Sequence, residues 1–197
     1  LVTFISRDLE PLRGLRQLLK AWPRVSQTLP EAQLVLAGGR GQGYGLQPPK
    51  GEDHFVDALE QLPERVNREQ IHCLGQLPHA AMLTLLRCSA CHVALSYPYT
   101  LSWSVLEALA CAAPIISNPD SPIAVEMHKD ATDALALVPF NDTDDLASRM
   151  IELLQQPQQA RALGAAGRDW IERNGGLTKA LEGYEQLFQS VREHVVT

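Results

Sequence analysis

Arg7 and Arg13 flank a short polar turn that ends in Gly14. The turn stands between a strand-like run, residues 2–6, and the helical spacing of Leu15, Leu18, Leu19, Trp22 and Val25. Two guanidinium groups beside a helix N-terminus make a strong anion site, because both supply positive potential and directional N–H donors. Two solvated surface arginines would leave the same trace in the sequence. Gly14 allows a ligand to approach the backbone closely. Farther along, Glu107 is a lone carboxylate amid Val105, Leu106, Ala108 and Leu109. Either it lies on the exposed edge of a helix, or it accepts two hydrogen bonds side by side from vicinal hydroxyls such as those of ribose.

Other residues offer weaker chemistry. Asp142-Thr143-Asp144 has the spacing of a divalent-metal motif, but it precedes an amphipathic helix that one of Asn141, Asp142 or Thr143 would cap. The cap is the expected reading. Cys88 and Cys91 have CxxC spacing without a second ligand pair, and the four cysteines are expected to be small packed residues in a reducing, cytoplasmic setting. The six histidines show no HxxxH or HxH spacing, and no GxSxG elbow is present. The glycine- and proline-rich residues 38–51 lack the Lys-Ser/Thr of a phosphate loop. They read as a surface loop or a lid over a ligand.

These residues need elements to hold them, and residues 96–117 are the centre of that frame. An apolar run at 91–95 enters the stretch, a loop follows, Ser102 caps a helix over 105–111, and Ile115-Ile116 begins another strand. Further strands are expected at 33–37, 70–74 and 134–138, and helices at 55–66, 78–87, 142–155, 157–173 and 177–193. Pro23 weakens the first helix, and Pro119 and Pro122 indicate a loop. About six strands alternating with helices predict an α/β fold, a Rossmann-like parallel sheet with helices on both faces. Ligands of such sheets bind beyond the carboxyl ends of the strands. The 197 residues suit one domain spanning 1–197. A net charge of -6 argues against a nucleic-acid surface, and no apolar run is long enough for a membrane span. The start at Leu1, almost inside a strand, suggests a piece of a longer protein.

In order along the chain, Phe4-Ile-Ser-Arg7 with Arg13-Gly14-Leu15, then residues 32–39, 71–78 and 117–127, resemble the C-terminal, donor-binding domain of retaining GT-B glycosyltransferases. This is the glycosyl transferases group 1 family, with its lipopolysaccharide and mannosyl transferases. Arg13 stands where that family usually has lysine, and Glu126 falls at a usual acid. Residues 99–107 match its E-x7-E segment, with Glu107 as the second glutamate and Tyr99 in place of the first.

The resemblance implies a metal-independent hexosyl transfer from a nucleotide sugar, such as a UDP- or GDP-sugar, with retention and with no cofactor. Arg7 and Arg13 would neutralise the departing diphosphate. Glu107 would hold ribose, and backbone amides across Leu101, Ser102, Trp103 and Ser104 would hold phosphate or sugar oxygens. Cys73 and Leu74 would edge the base, Tyr44 would belong to a lid, and Tyr99 would alter how the sugar is oriented. The acceptor, a glycan or other small molecule, would belong to an N-terminal domain absent from these residues, so the chain alone would bind donor and transfer nothing. A half of a nucleotide-sugar 2-epimerase and a non-catalytic nucleotide-sugar module are the rival readings.

Overall fold

A computed structural model describes residues 1–41, 43, 53–64, 66–97, 100–130 and 133–195. Six strands form one sheet: β1 (Val2–Asp8), β2 (Leu34–Gly39), β3 (Ile71–Cys73), β4 (Cys91–Val93), β5 (Ile115–Ser117) and β6 (Ala136–Leu137). Their spatial order is β3-β2-β1-β4-β5-β6, and every pairing is parallel. The chain winds outward in one direction from β1 to β3, then returns to the other side of β1 with β4. A crevice opens where that direction reverses, beyond the carboxyl ends of β1 and β4.

Eight helices are present among the described residues: α1 (Leu15–Thr28), α2 (His54–Glu60), α3 (His79–Arg87), α4 (Trp103–Ala110), α5 (Pro122–His128), α6 (Thr143–Gln155), α7 (Pro157–Asn174) and α8 (Leu177–Val195). Alternation along β1 feeds two cores. Phe4 packs with Trp22, Leu34 and Met150 under α1, α2 and α6, and Ile5 packs with Ala37, Leu109, Ile115 and Trp170 under α3, α4, α5 and part of α7. No helix among the described residues is long and apolar enough to cross a membrane.

Local differences from the sequence expectation have local causes. α1 continues through Pro23, because Leu18, Leu19, Trp22 and Val25 on either side of it are all buried. Their burial, about 1.5–3 kcal/mol per large side chain, offsets the roughly 3 kcal/mol an interior proline costs. α2 stops at Glu60 rather than reaching Val66, and hydrogen-bonded turns carry the chain past Pro63 (Leu62 N to Leu59 O, 3.1 Å; Val66 N to Pro63 O, 3.0 Å). Pro122 starts a helix where a loop was expected. It occupies the first position of α5, where a missing N–H costs nothing, and the Ser121 side chain accepts from Ala124 N at 3.2 Å. Asp142 caps α6 by accepting from Asp145 N at 2.9 Å, as expected of the DxD segment.

α7 grips the far end of α4. A Cβ on Gly164 would lie 2.1 Å from the Ala112 carbonyl oxygen, and one on Gly167 would lie 2.8 Å from Leu109 Cδ2. Ala112 itself turns with φ 55. α8 differs from the other helices: Leu177, Leu181, Tyr184, Leu187, Phe188 and Val191 are all exposed.

Candidate functional site

The crevice at the β1/β4 reversal holds an open cavity lined by Ser6, Arg13, Ser96, Thr100, Ser102 and Ser104 among others. A second open cavity continues across β1 toward β2 and is bordered by Arg7, Gly38, Gln76 and Leu77. Ser6 and Ser104 line both, so the two form one trough along the carboxyl edge of the sheet.

β1 ends irregularly. Its register with β2 shifts between Ile5 and Asp8, so one more residue is accommodated on β1 than on its partner. Such bulges re-aim side chains at sheet edges. The Ser6 hydroxyl donates to the Asp8 carbonyl across the bulge. Arg7 emerges 64% exposed at the trough, with its Nε donating to Asp8 Oδ2 at 2.9 Å. A 3₁₀ turn, Pro11–Arg13, then leads to Gly14, whose φ of 83 is left-handed. The close approach at this glycine is made by protein: a Cβ there would lie 2.6 Å from Leu95 Cβ. Its amide donates to Pro11 O and its carbonyl accepts from Leu18 N, both at 2.9 Å. Gly14 thereby places Arg13, rather than leaving an open backbone for ligand. Arg13 Nη1 donates to Ser96 Oγ at 3.3 Å and lies 3.5 Å from the Thr100 carbonyl.

The other wall is the start of α4. Ser102 occupies the capping position, but contrary to expectation its hydroxyl pairs with Ser104 Oγ at 2.8 Å and caps no backbone amide. Ser104 Oγ also reaches the Ile5 carbonyl at 3.3 Å. Among the described residues the first turn of α4 thus has no cap from Ser102, and this positive helix end borders the same cavity as Arg13. Leu101 lines the cavity and Trp103 stands 83% exposed beside it. Glu107 follows Ser104 by three residues and shares its helix face. Its side chain is 29% exposed, and its Oε1 lies 2.8 Å from His79 Nε2. At the β3 end, Leu74 is half-exposed, but its N–H donates to the Leu36 carbonyl at 2.9 Å, so that amide belongs to the sheet. Cys73 is partly buried at the end of β3. Tyr44 and Tyr99 lie outside the described residues.

Residues that the sequence did not single out hold this arrangement. Asn118 is fully buried, accepting from Ser96 N at 2.8 Å and donating to Ser96 O at 3.0 Å. Ser117 Oγ donates to Ala94 O at 2.9 Å and pairs with Ser121 Oγ at 2.8 Å. Together they fix the chain as it leaves β4, and with it the Ser96 hydroxyl that Arg13 meets. A polar pair, Ser117-Asn118, closing an apolar strand is the trace they leave in the sequence. Glu126 lies on α5, bonded to Lys129 at 2.5 Å.

The cysteines are all free but are not all packed as expected. Cys88 is exposed at the end of α3, where the helix meets solvent, while Cys91 is buried in β4, and burial pushes its thiol up to about 12. Partial burial raises Cys111 as well. His92, buried beside Cys91, accepts or donates at Thr3 Oγ1 (2.9 Å), and burial brings it down to about 4.

A model of the family described as glycosyl transferases group 1 matches residues 1–170. The chain belongs to that family. Among curated members, a GDP-mannose-dependent monoacylated alpha-(1-6)-phosphatidylinositol monomannoside mannosyltransferase of Corynebacterium glutamicum is 30% identical over 83% of this chain and 40% of its own length. The chain thus spans less than half of that relative. The fold is that of GT-B glycosyltransferase structures. Anabaena Alr3699/HepE, solved in complex with UDP, superposes with TM-score 0.77 at 17% identity, over 96% of this chain and 48% of its own. The C-terminal domain of a glycosyl transferase group 1 family protein, LpcC from Francisella tularensis, matches with TM-score 0.73 at 15% identity, over 89% of this chain and 86% of that one.

Proposed function

We propose that the chain is the donor-binding domain of a glycosyltransferase, taking a nucleotide sugar in the trough and passing the sugar to an acceptor held by another part of a longer protein. The observation that carries this reading is the meeting of Arg13 with the uncapped start of α4 across one cavity, with Glu107 on the same helix. When the bond from the sugar's anomeric carbon to the diphosphate breaks, negative charge grows on the departing phosphate oxygens. Arg13 and the N–H dipoles at the start of α4, with Arg7 bordering the adjoining part of the trough, would lower that barrier by stabilising the charge. They supply the positive charge that a metal ion would otherwise bring, so we assign a metal-independent transfer. Retention of anomeric configuration follows from the family resemblance. The Glu107 carboxylate accepts from the ribose hydroxyls, and Leu74 offers an apolar edge to the base. The names of the relatives favour a GDP- or UDP-linked sugar, mannose foremost. Four free thiols suit a reducing cytoplasm.

Calorimetric titration of the chain with UDP-, GDP- and ADP-sugars tests this directly. Heat is expected from at least one, unchanged by EDTA. Arg13→Ala should weaken that binding by about 1.5–3 kcal/mol, the worth of a hydrogen bond to a charged group. A folded chain that takes up none of the three overturns the reading.

A further inference from the structure

Glu107 does not stand alone. Its Oε1 is 2.8 Å from Nε2 of His79, 28 residues earlier. An ionised carboxylate only accepts hydrogen bonds, so Nε2 carries the proton and donates. His79 is 67% exposed, yet it is well anchored. It is the first residue of α3, preceded by Pro78 in an extended conformation. Gly75, at φ 67, turns the chain out of β3, and Leu77 and Met82 on either side of His79 pack into the core beneath. The segment from Cys73 to His79 therefore runs along the trough, past Gln76 and Leu77 in its wall, and ends on the Glu107 carboxylate. Among the described residues Glu107 Oε2 has no hydrogen-bond partner.

We propose that His79 is a positioning residue for ribose recognition. It occupies one acceptor oxygen of Glu107, stops the flexible side chain from rotating away, and leaves the other oxygen turned to the vicinal hydroxyls. The inference rests on the nucleotide reading of the trough. It adds a coupling that reading does not contain: the strand end that edges the base also sets the carboxylate that takes the ribose. A carboxylate fixed before binding loses less side-chain freedom when the diol arrives.

The test is titration of the 197-residue chain with UDP, GDP and their 2′-deoxy forms, for wild type, His79→Gln, His79→Asn and Glu107→Gln. Gln can place its amide nitrogen where Nε2 lies, whereas Asn is too short. With about one hydrogen bond's worth of positioning at stake, His79→Asn should weaken the better ribonucleotide by roughly five- to tenfold. His79→Gln should stay within about twofold of wild type by the same measure. The 2′-deoxy form should bind wild type weakly and respond to neither substitution. Adding His79→Asn to Glu107→Gln should cost nothing further, since the carboxylate it positions is gone. Equal ribonucleotide binding by wild type and His79→Asn overturns the proposal while leaving the nucleotide reading intact. So does equal loss for the deoxy form, or full additivity with Glu107→Gln. No heat from wild type with any of these nucleotides overturns both.

Discussion

Gly14→Ala is the substitution whose cost follows most directly from the geometry. Gly14 sits at φ 83, where an L-residue with a Cβ is disfavoured by roughly 1–2 kcal/mol. The new methyl would also lie 2.6 Å from Leu95 Cβ, 3.0 Å from its Cδ1 and 3.3 Å from its Cγ. Overpacking of that kind adds about 1–3 kcal/mol. The stiffer unfolded chain returns about 0.4–1 kcal/mol. A net loss of about 1–4.5 kcal/mol remains, which at a urea dependence near 2 kcal/mol per molar moves the midpoint down by about 0.5–2 M. Urea unfolding followed by tryptophan fluorescence reads this, with Trp22 as a fully buried reporter. The nearest clashing atom is Leu95 Cβ, which alanine keeps. Trimming Leu95 to Ala should therefore relieve only the minor part of the overlap and none of the dihedral strain. An unchanged midpoint for Gly14→Ala, or full recovery in the double mutant relative to Leu95→Ala, would refute the argument.

Stability should also depend on pH through His92. Its folded value, about 4, lies below the ordinary 6.5, so the unfolded chain binds the extra proton first, and stability present above pH 6.5 is lost as pH falls toward 4. The loss is on the order of 3 kcal/mol, visible as a falling urea midpoint between pH 6.5 and 5 that His92→Gln flattens. Asp142→Ala removes the α6 cap and should cost about 1 kcal/mol with no change in nucleotide titration, which a metal-binding role for the DxD segment would contradict. Ending the chain after Gly176 removes α8, whose described side chains are exposed. The midpoint should move by less than the equivalent of about 0.5 kcal/mol, and a larger shift in circular dichroism melts would show that α8 packs on the domain.

The sheet was legible because its strands are short apolar runs that a doubly wound fold must bury on both faces: residues 2–5, 34–37 and 115–116 carry no competing pattern. Arg7 and Arg13 could be named because they flank a turn between a strand-like run and a helix, and Glu107 because it is a lone carboxylate amid apolar residues. Their partners could not. His79 meets Glu107 only because α3 and α4 lie side by side, and no spacing in a linear chain encodes that neighbourhood. Pro122 read as a loop because proline's second role, as the first residue of a helix, depends on the Ser121 cap. Ser102 was expected to cap α4 and does not, because Ser104, two residues on, competes for its hydroxyl. Gly14 was read as space for a ligand, and the space belongs to Leu95, which only the β4 crossover brings there.

α4 spans only Trp103–Ala110, about 12 Å at 1.5 Å per residue. One end carries Ser104 and the uncapped amides, and just beyond the other is the Ala112 carbonyl, against which Gly164 lies too close for any side chain. So short a helix behaves as a stiff pointer whose tail is held by α7. In a screen for variants that lose ligand, hits at Gly164 and Gly167 would surface on the opposite side of the fold from the trough. They would resemble allosteric positions while transmitting no signal, since what they alter is the direction in which the pointer aims.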